Sequence, residues 1–220
     1  MTLCVAAQCW DNNESKIVYG TDLLSDSGIA KADIEGKAFS VSKEEHVVLV
    51  SGSPSRAREI MTILNDLWET SEAAHFINVC REALRRHKHD VADEYVSSQL
   101  GISYDKLLTE AYSGLPPDKY REIMDAVTEC KPGCELVIGH FESSETSYLF
   151  RTNEYGILEA CSNFAAVGSG MYMAEASLFQ REHSEHDSLP DTIYHVFEAM
   201  KTGSRAPGVG EKTIMGVVSY

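Results

Sequence analysis

The sequence contains no apolar run approaching the ~20 residues that a transmembrane helix requires. Its first residues lack the basic stretch and the apolar core of a secretory signal peptide. We therefore expect a protein of the cytoplasm rather than of a membrane or the secretory route. The 220 residues also show no internal repeat and no low-complexity segment, so they suit one large domain with a full hydrophobic core.

Basic residues are scarce, because 19 Lys and Arg oppose 34 Asp and Glu and give a formal net charge of −15. A protein this negative repels phosphate backbones and anionic lipids, which argues against a nucleic-acid or membrane-surface partner. A basic cluster at residues 85–89 suits either a contact with a partner or a solvated helix end, where cations oppose the helix dipole.

The six cysteines do not form a recognisable metal or disulfide framework. Cys130 and Cys134 are spaced as Cys-x3-Cys, but a zinc site of this kind needs a second ligand pair, so we expect free thiols in a reducing compartment. His183 and His186 stand among acids in residues 182–187 and can bind a metal, although a hydrated loop is the preferred interpretation, since no closed ligand set is apparent. The sequence thus predicts neither a metal nor a cofactor.

The pattern of apolar residues predicts strands at both ends of the chain and helices between them. Alternating or β-branched runs indicate strands at residues 2–9, 16–22, 37–41, 46–50, 135–139, 147–151 and 213–218. Helical spacing and helix-start signals indicate helices at residues 54–68, 72–88, 103–113, 117–130, 171–179 and 190–200. This order predicts an α+β domain in which helices pack on antiparallel sheet.

Thr2 is the residue from which a function can be argued. A small residue behind Met1 permits a cytosolic aminopeptidase to remove the methionine, and Thr2 then carries both a hydroxyl and a free α-amine. Such an amine, with an ordinary pKa of about 7.7–8.0, can accept the proton of its own hydroxyl, which makes a nucleophile–base pair. Met-Thr starts are common, so the downstream sequence has to support this interpretation.

Further features follow Thr2 in a fixed order. The second predicted strand ends at Asp22, Lys37 opens the third, and an apolar strand ends in Ser-Gly-Ser at residues 51–53 before a helix. Late in the chain, residues 166–171 (AVGSGM) resemble the Ser-Val-Gly-Ser-Gly segment of catalytic proteasome β subunits. In this order of elements the chain resembles the proteasome-type N-terminal-nucleophile hydrolases.

The resemblance implies a four-layer αββα sandwich of two antiparallel sheets flanked by helices. It implies one domain over residues 1–220, with residues 103–130 as a helix-rich insertion. Thr2 resembles the catalytic threonine, Lys37 the lysine beside it, and Asp22 the acid that holds this lysine. A cation at that position disfavours the protonated form of the amine and stabilises a developing alkoxide.

The resemblance extends to three further positions. Gly52 resembles the glycine whose backbone N–H helps to form the oxyanion hole, and Ser169 resembles the serine near the terminal amine. Val50 is expected to border the side-chain pocket. Taken singly, Asp22 also suits a strand-end turn, Lys37 an ordinary surface position, and Gly52 a turn.

The resemblance implies a threonine-type peptidase that needs no cofactor, forms an acyl-enzyme on Thr2 and acts on a peptide or protein substrate. It also implies a homo-oligomer, such as a ring, and an ATPase or adaptor as a separate partner. Catalytic β subunits carry a second acid and a serine before the last strands, and residues 202–208 offer neither in register, with Ser204 as a replacement for the acid. A non-catalytic scaffold or assembly subunit and a small-molecule amidase are therefore the alternatives.

Overall fold

The computed structural model describes residues 2–26, 31–33, 36–41, 46–70, 75–109 and 114–220. The strands are β1 (Leu3–Asp11), β2 (Glu14–Asp22), β3 (Leu24–Asp26), β4 (Lys31–Asp33), β5 (Ala38–Val41), β6 (His46–Gly52), β7 (Cys134–Ser143), β8 (Thr146–Thr152), β9 (Leu158–Cys161), β10 (Phe164–Gly168) and β11 (Thr213–Ser219). The helices are α1 (Pro54–Thr70), α2 (Phe76–Leu100), α3 (Tyr104–Thr109), α4 (Pro117–Thr128), α5 (Met171–Gln180) and α6 (Leu189–Gly203).

The chain forms two compact units. The first comprises Met1–Ala57, Cys134–Asn153 and Leu158–Tyr220, and the second comprises Arg58–Gly133 and Glu154–Ile157. Among the residues described, no helix combines the length and the apolar character that a bilayer span needs.

The first unit contains two antiparallel sheets. One has the strand order β10-β1-β2-β11, the other has the order β5-β6-β7-β8-β9, and β3 and β4 form a short separate pair. The β1–β2 hairpin turns at Asn12 and Asn13, which both have positive φ, of 55° and 64°. Two-residue hairpin turns of this hand favour asparagine and glycine, so the local sequence sets the register of the longest ladder in this sheet.

Alternation along β1 places the two sheets and a helical layer in order. The odd-numbered side chains from Leu3 to Cys9 join a core cluster with residues of α5 and α6. The even-numbered Cys4 and Ala6 join a second cluster with residues of β6, β7 and β8. Because successive side chains of a strand point to opposite faces, the four-stranded sheet packs against helices on one side and against the five-stranded sheet on the other. The fold is therefore an α+β sandwich, as the sequence predicts.

The second unit contains most of α1 together with α2, α3 and α4. Its core joins Ala92 and Val96 of α2 with Leu107 of α3 and with Ile123 and Val127 of α4. The helix predicted over residues 72–88 continues to Leu100, which corrects the predicted end, because this buried face extends beyond the basic cluster. Helix α2 then ends at Gly101, whose φ of 68° suits a glycine C-cap.

Candidate active site

The hairpin and its neighbours bring Thr2 and Asp22 to one end of the four-stranded sheet. Cys4 pairs with Thr21 across the β1–β2 ladder, so the start of β1 lies beside the end of β2. Asp22 in turn pairs with Thr213 of β11. Lys37 directly precedes β5 of the other sheet, and its carbonyl accepts a hydrogen bond of 2.8 Å from Val50 N in β6. The site thus forms where the two sheets of the sandwich meet.

The Thr2 hydroxyl lies between a cation and an anion. Thr2 Oγ1 donates to Asp22 Oδ1, and Lys37 Nζ donates to Thr2 Oγ1. Lys37 Nζ also forms an ion pair with Asp22 Oδ1 at 2.8 Å. Asp22 is fully buried, Thr2 is 4% exposed, and the Lys37 side chain is 15% exposed. Electrostatic interactions at this hydroxyl are therefore only weakly screened by solvent.

Backbone N–H groups complete the coordination of the Asp22 carboxylate. Leu3 N donates to Oδ1 at 2.8 Å, and Gly210 N donates to Oδ2 at 3.0 Å. A buried carboxylate is tolerated when a counter-ion and hydrogen bonds satisfy it, and Asp22 has both. Sequence reasoning missed Gly210, because a backbone donor leaves no signature in residue type.

The carbonyl of Thr2 is held from the other side by the segment after β10. Ser169 N donates to Thr2 O at 3.0 Å, and Ser169 Oγ lies 3.4 Å from the same oxygen. Gly168 has a φ of +97°, and a Cβ at this position would lie 2.1 Å from Thr2 O and 2.7 Å from Ser51 Oγ. Only glycine fits here, so the glycine of this motif is required by close packing as well as by backbone conformation.

The two remaining predicted residues lie on β6. Gly52 ends the strand with a φ of +112° and is solvent-exposed. Val50 is buried, and its N–H donates a hydrogen bond to Lys37 O. The carbonyl of Val50 accepts a hydrogen bond of 3.3 Å from Cys4 Sγ. The backbone of Val50 therefore anchors the segment that carries Lys37. Its role as a pocket residue and the role of Gly52 in an oxyanion hole stay predictions.

Cys4 is the thiol closest in sequence to Thr2, and its environment makes it a poor nucleophile. Burial raises the pKa of the Cys4 thiol well above its usual range, only partly offset by the charge of Lys37. A thiolate is the reactive form of cysteine, so burial makes this thiol unreactive. Within the part of the chain that the structure describes, Asp22 belongs to no group of three potential metal ligands.

Comparisons with known proteins bear on the fold alone. No protein-family model and no curated protein matches the sequence. Among solved structures, Anbu (ancestral beta-subunit) from Yersinia bercovieri superposes with a TM-score of 0.63 at 14% identity over 98% of this chain and 81% of its own. Eukaryotic HslV from Trypanosoma brucei superposes with a TM-score of 0.60 at 15% identity over 100% of both chains.

A third neighbour comes from an assembly. The structure titled as the helical assembly of the Anbu complex from Pseudomonas aeruginosa has a TM-score of 0.61 at 14% identity, over 99% of this chain and 81% of that one. These neighbours support a proteasome-type fold for the chain, in agreement with the two antiparallel sheets and the packed helices.

Proposed function

We propose that the protein is an N-terminal threonine hydrolase, a peptidase that cleaves amide bonds through an acyl-enzyme on Thr2. The observation that carries the proposal is the contact of the Thr2 hydroxyl with both the Lys37 ammonium and the Asp22 carboxylate. Activated nucleophiles generally sit within hydrogen-bond reach of a base and of a group that orients it. The proposal includes the four-layer αββα form of the fold in a single domain.

The chemistry begins with removal of Met1, because the nitrogen of Thr2 is an amide until then and cannot act as a base. The freed amine takes the proton of Thr2 Oγ1, and the oxygen attacks the carbonyl carbon of the substrate. Lys37 stabilises the developing negative charge, Asp22 holds Lys37, and the N–H of Gly52 receives the oxyanion. The amine then protonates the leaving group, and water activated by the same amine hydrolyses the ester on Thr2.

The deciding experiment uses a threonine-directed epoxyketone, which needs both a free α-amine and a hydroxyl to form its ring adduct. Intact mass first establishes whether Met1 has been removed. We expect one adduct per processed chain, located at Thr2, and loss of both the adduct and peptide cleavage in Thr2→Ala. Thr62→Ala is the control, since its hydroxyl donates to Arg58 O within α1. A processed chain that takes up no label and cleaves no peptide would refute the proposal.

The scaffold alternative is favoured by the segment after α6. Ser204 Oγ donates to Lys201 O at 2.9 Å, so its hydroxyl is used within the helix end rather than as a replacement for the second acid. Asp22 Oδ2 instead accepts from the backbone N–H of Gly210. A scaffold subunit would keep the fold, show no labelling at Thr2 and assemble normally. A comparison of peptide and small-amide substrates on the processed, unlabelled enzyme separates a peptidase from a small-molecule amidase.

The proposal also includes self-association, with a separate ATPase or adaptor to deliver protein substrates. Helices α5 and α6 expose large apolar side chains in both elements: Tyr172, Met173, Phe179, Ile193, Tyr194 and Phe197. Contiguous exposed apolar surface typically marks an interaction site, and the proposal takes these side chains to form one. The fold-level neighbour in a helical assembly favours a second copy of this chain as its occupant.

Light scattering after size exclusion tests this part separately from catalysis. We expect a mass several times that of one chain, which falls when Phe179→Glu and Phe197→Glu are combined. Ile157→Glu, a change at an exposed apolar residue of the other unit, is the control and should leave the mass unchanged. A monomeric wild-type chain at high micromolar concentration would overturn the self-association proposal.

A further inference from the structure

The connection between α5 and α6 contains a buried histidine where the sequence predicts a hydrated loop. That prediction is wrong for His183, which is 4% exposed although its neighbours in residues 181–188 are mostly polar. His183 Nε2 lies 3.0 Å from the carbonyl of Gln8 in β1. Trp10 N also donates to Asp187 O, at 3.1 Å. These two hydrogen bonds hold the α5–α6 connection against the C-terminal end of β1, which is the end remote from Thr2.

Three potential ligand atoms converge at this histidine. His183 Nδ1 lies 3.0 Å from Asp187 Oδ2 and 3.2 Å from His195 Nδ1, and His195 Nδ1 lies 3.5 Å from Asp187 Oδ2. For metal–ligand bonds of about 2.0–2.2 Å, the edges of a tetrahedron measure about 3.3–3.6 Å, so the triangle has nearly the size that one small ion requires.

Hydrogen bonds from two neutral imidazoles do not satisfy all three contacts of this triangle. A proton on His183 Nε2 bonds the Gln8 carbonyl, and this tautomer leaves a lone pair on Nδ1 facing the Asp187 carboxylate. A proton on His195 Nδ1 can then satisfy one contact of the triangle, whereas a divalent cation at its centre satisfies all three.

We infer that His183 Nδ1, Asp187 Oδ2 and His195 Nδ1 bind one divalent transition-metal ion, with Zn²⁺ the best match and water as the fourth ligand. Two imidazoles and one carboxylate are ordinary zinc ligands, and this set is too rich in nitrogen for Mg²⁺ or Ca²⁺. The bond from His183 Nε2 to a backbone carbonyl is the outer-shell contact that orients most metal-binding histidines.

The ion would join three elements that the protein already brings together. Asp187 and His183 belong to the connection, His195 belongs to α6, and Gln8 anchors the ring of His183 to β1. Because Thr2 lies at the opposite end of β1, the ion stabilises the fold and takes no part in the threonine chemistry. The metal site and the proposed function can therefore fail independently.

The test is titration of chelator-treated, desalted protein with Zn²⁺ by calorimetry, and with Co²⁺ by absorbance. We expect one ion per chain with a Kd below about 1 μM, a melting temperature raised by a few degrees and the intense visible bands of tetrahedral Co²⁺. Asp187→Asn and His195→Gln should each weaken binding at least about 10–100-fold. His186→Gln is the matched control, since this histidine lies in the same connection with a side chain that is 80% exposed.

The cysteines are the competing ligands. Cys130→Ser with Cys134→Ser should leave the affinity unchanged, and Co²⁺ spectra should lack thiolate charge-transfer bands. Absence of saturable Zn²⁺ binding, binding unaffected by both Asp187→Asn and His195→Gln, or an equal loss in His186→Gln would each overturn the inference. Far-UV circular dichroism of every variant confirms that a loss of binding is not a loss of fold.

Discussion

Replacing Asp22 by Asn removes one charge from the candidate active site while keeping the size of the side chain. The Lys37 ammonium loses its counter-ion, and breaking a buried ion pair by removing one partner destabilises a protein by about 3–5 kcal/mol. The lower end applies here, because the Lys37 side chain keeps 15% of its surface in solvent. If the NH₂ group of the introduced Asn takes the place of Oδ2, it meets the N–H of Gly210 at about the present 3.0 Å, and both groups are hydrogen-bond donors. We expect a loss of about 3 kcal/mol in unfolding free energy.

Urea denaturation measures this loss, and the rate of epoxyketone labelling measures its effect on Thr2. We expect labelling to slow by about 10²-fold or more, since a hydroxyl displaced by about 1 Å loses its reactive geometry. Asp11→Asn is the matched control, because Asp11 pairs with Lys16 at 2.6 Å at the other end of the same hairpin, where the pair is partly exposed. Its stability and labelling should stay near wild type.

A stability of Asp22→Asn within about 0.5 kcal/mol of wild type would refute the reasoning, because a change of that size is typical of ordinary surface substitutions. A double-mutant cycle with Lys37→Met separates the pair from its surroundings. We expect the two changes to be non-additive by about 1–3 kcal/mol, as befits residues in direct contact. Strict additivity would mean that Asp22 and Lys37 act independently.

Three further predictions follow from local geometry. Gly168→Ala should lower stability by more than about 2 kcal/mol and abolish Thr2 labelling, whereas Gly101→Ala, also at positive φ but with open space around its Cβ, should cost only about 1–2 kcal/mol in urea denaturation. Cys80, whose pKa burial raises to about 12, should react with thiol reagents only as the protein unfolds, as followed by mass spectrometry. Ser188→Ala removes the side chain that accepts from Asp191 N and should cost about 1 kcal/mol of stability.

The local sequence predicts a strand, a helix or a turn correctly where one pattern, such as apolar spacing or turn-forming residues, is strong. Asp11, Asn12 and Asn13 are typical turn residues and stand between the first two predicted strands, which indicates a hairpin. The structure has this β1–β2 hairpin, with positive φ at Asn12 and Asn13. Strand β9 (Leu158–Cys161) was not predicted, because an edge strand of four residues with exposed side chains has no apolar pattern. Helix α2 exceeds its predicted end because Ala92 and Val96 face a core formed by distant segments.

Some features of the candidate sites can also be predicted from the sequence, and others depend on tertiary packing. The proximity of Thr2 and Asp22 follows from hairpin register, which a sequence pattern can indicate. Lys37 lies directly before β5 of the other sheet, so only the resemblance to a known family pointed to it. The hydrogen bond from Gly210 N to Asp22 and the contact between His195 and His183 depend on tertiary packing. No sequence motif around Gly210 or His195 indicates these contacts.

The position of Thr2 depends on residues that carry no chemistry. Strand β1 puts Leu3 against the helices and Cys4 against the second sheet, and both are fully buried. A shift of the β1–β2 register by one residue would exchange these two faces and would also move Thr2 away from the Asp22 carboxylate. Because both cores resist that exchange, the alternation along β1 fixes the hydroxyl beside its ion pair. Substitutions that disturb this alternation should therefore reduce Thr2 reactivity in proportion to their effect on β1, even where they lie several residues from the site.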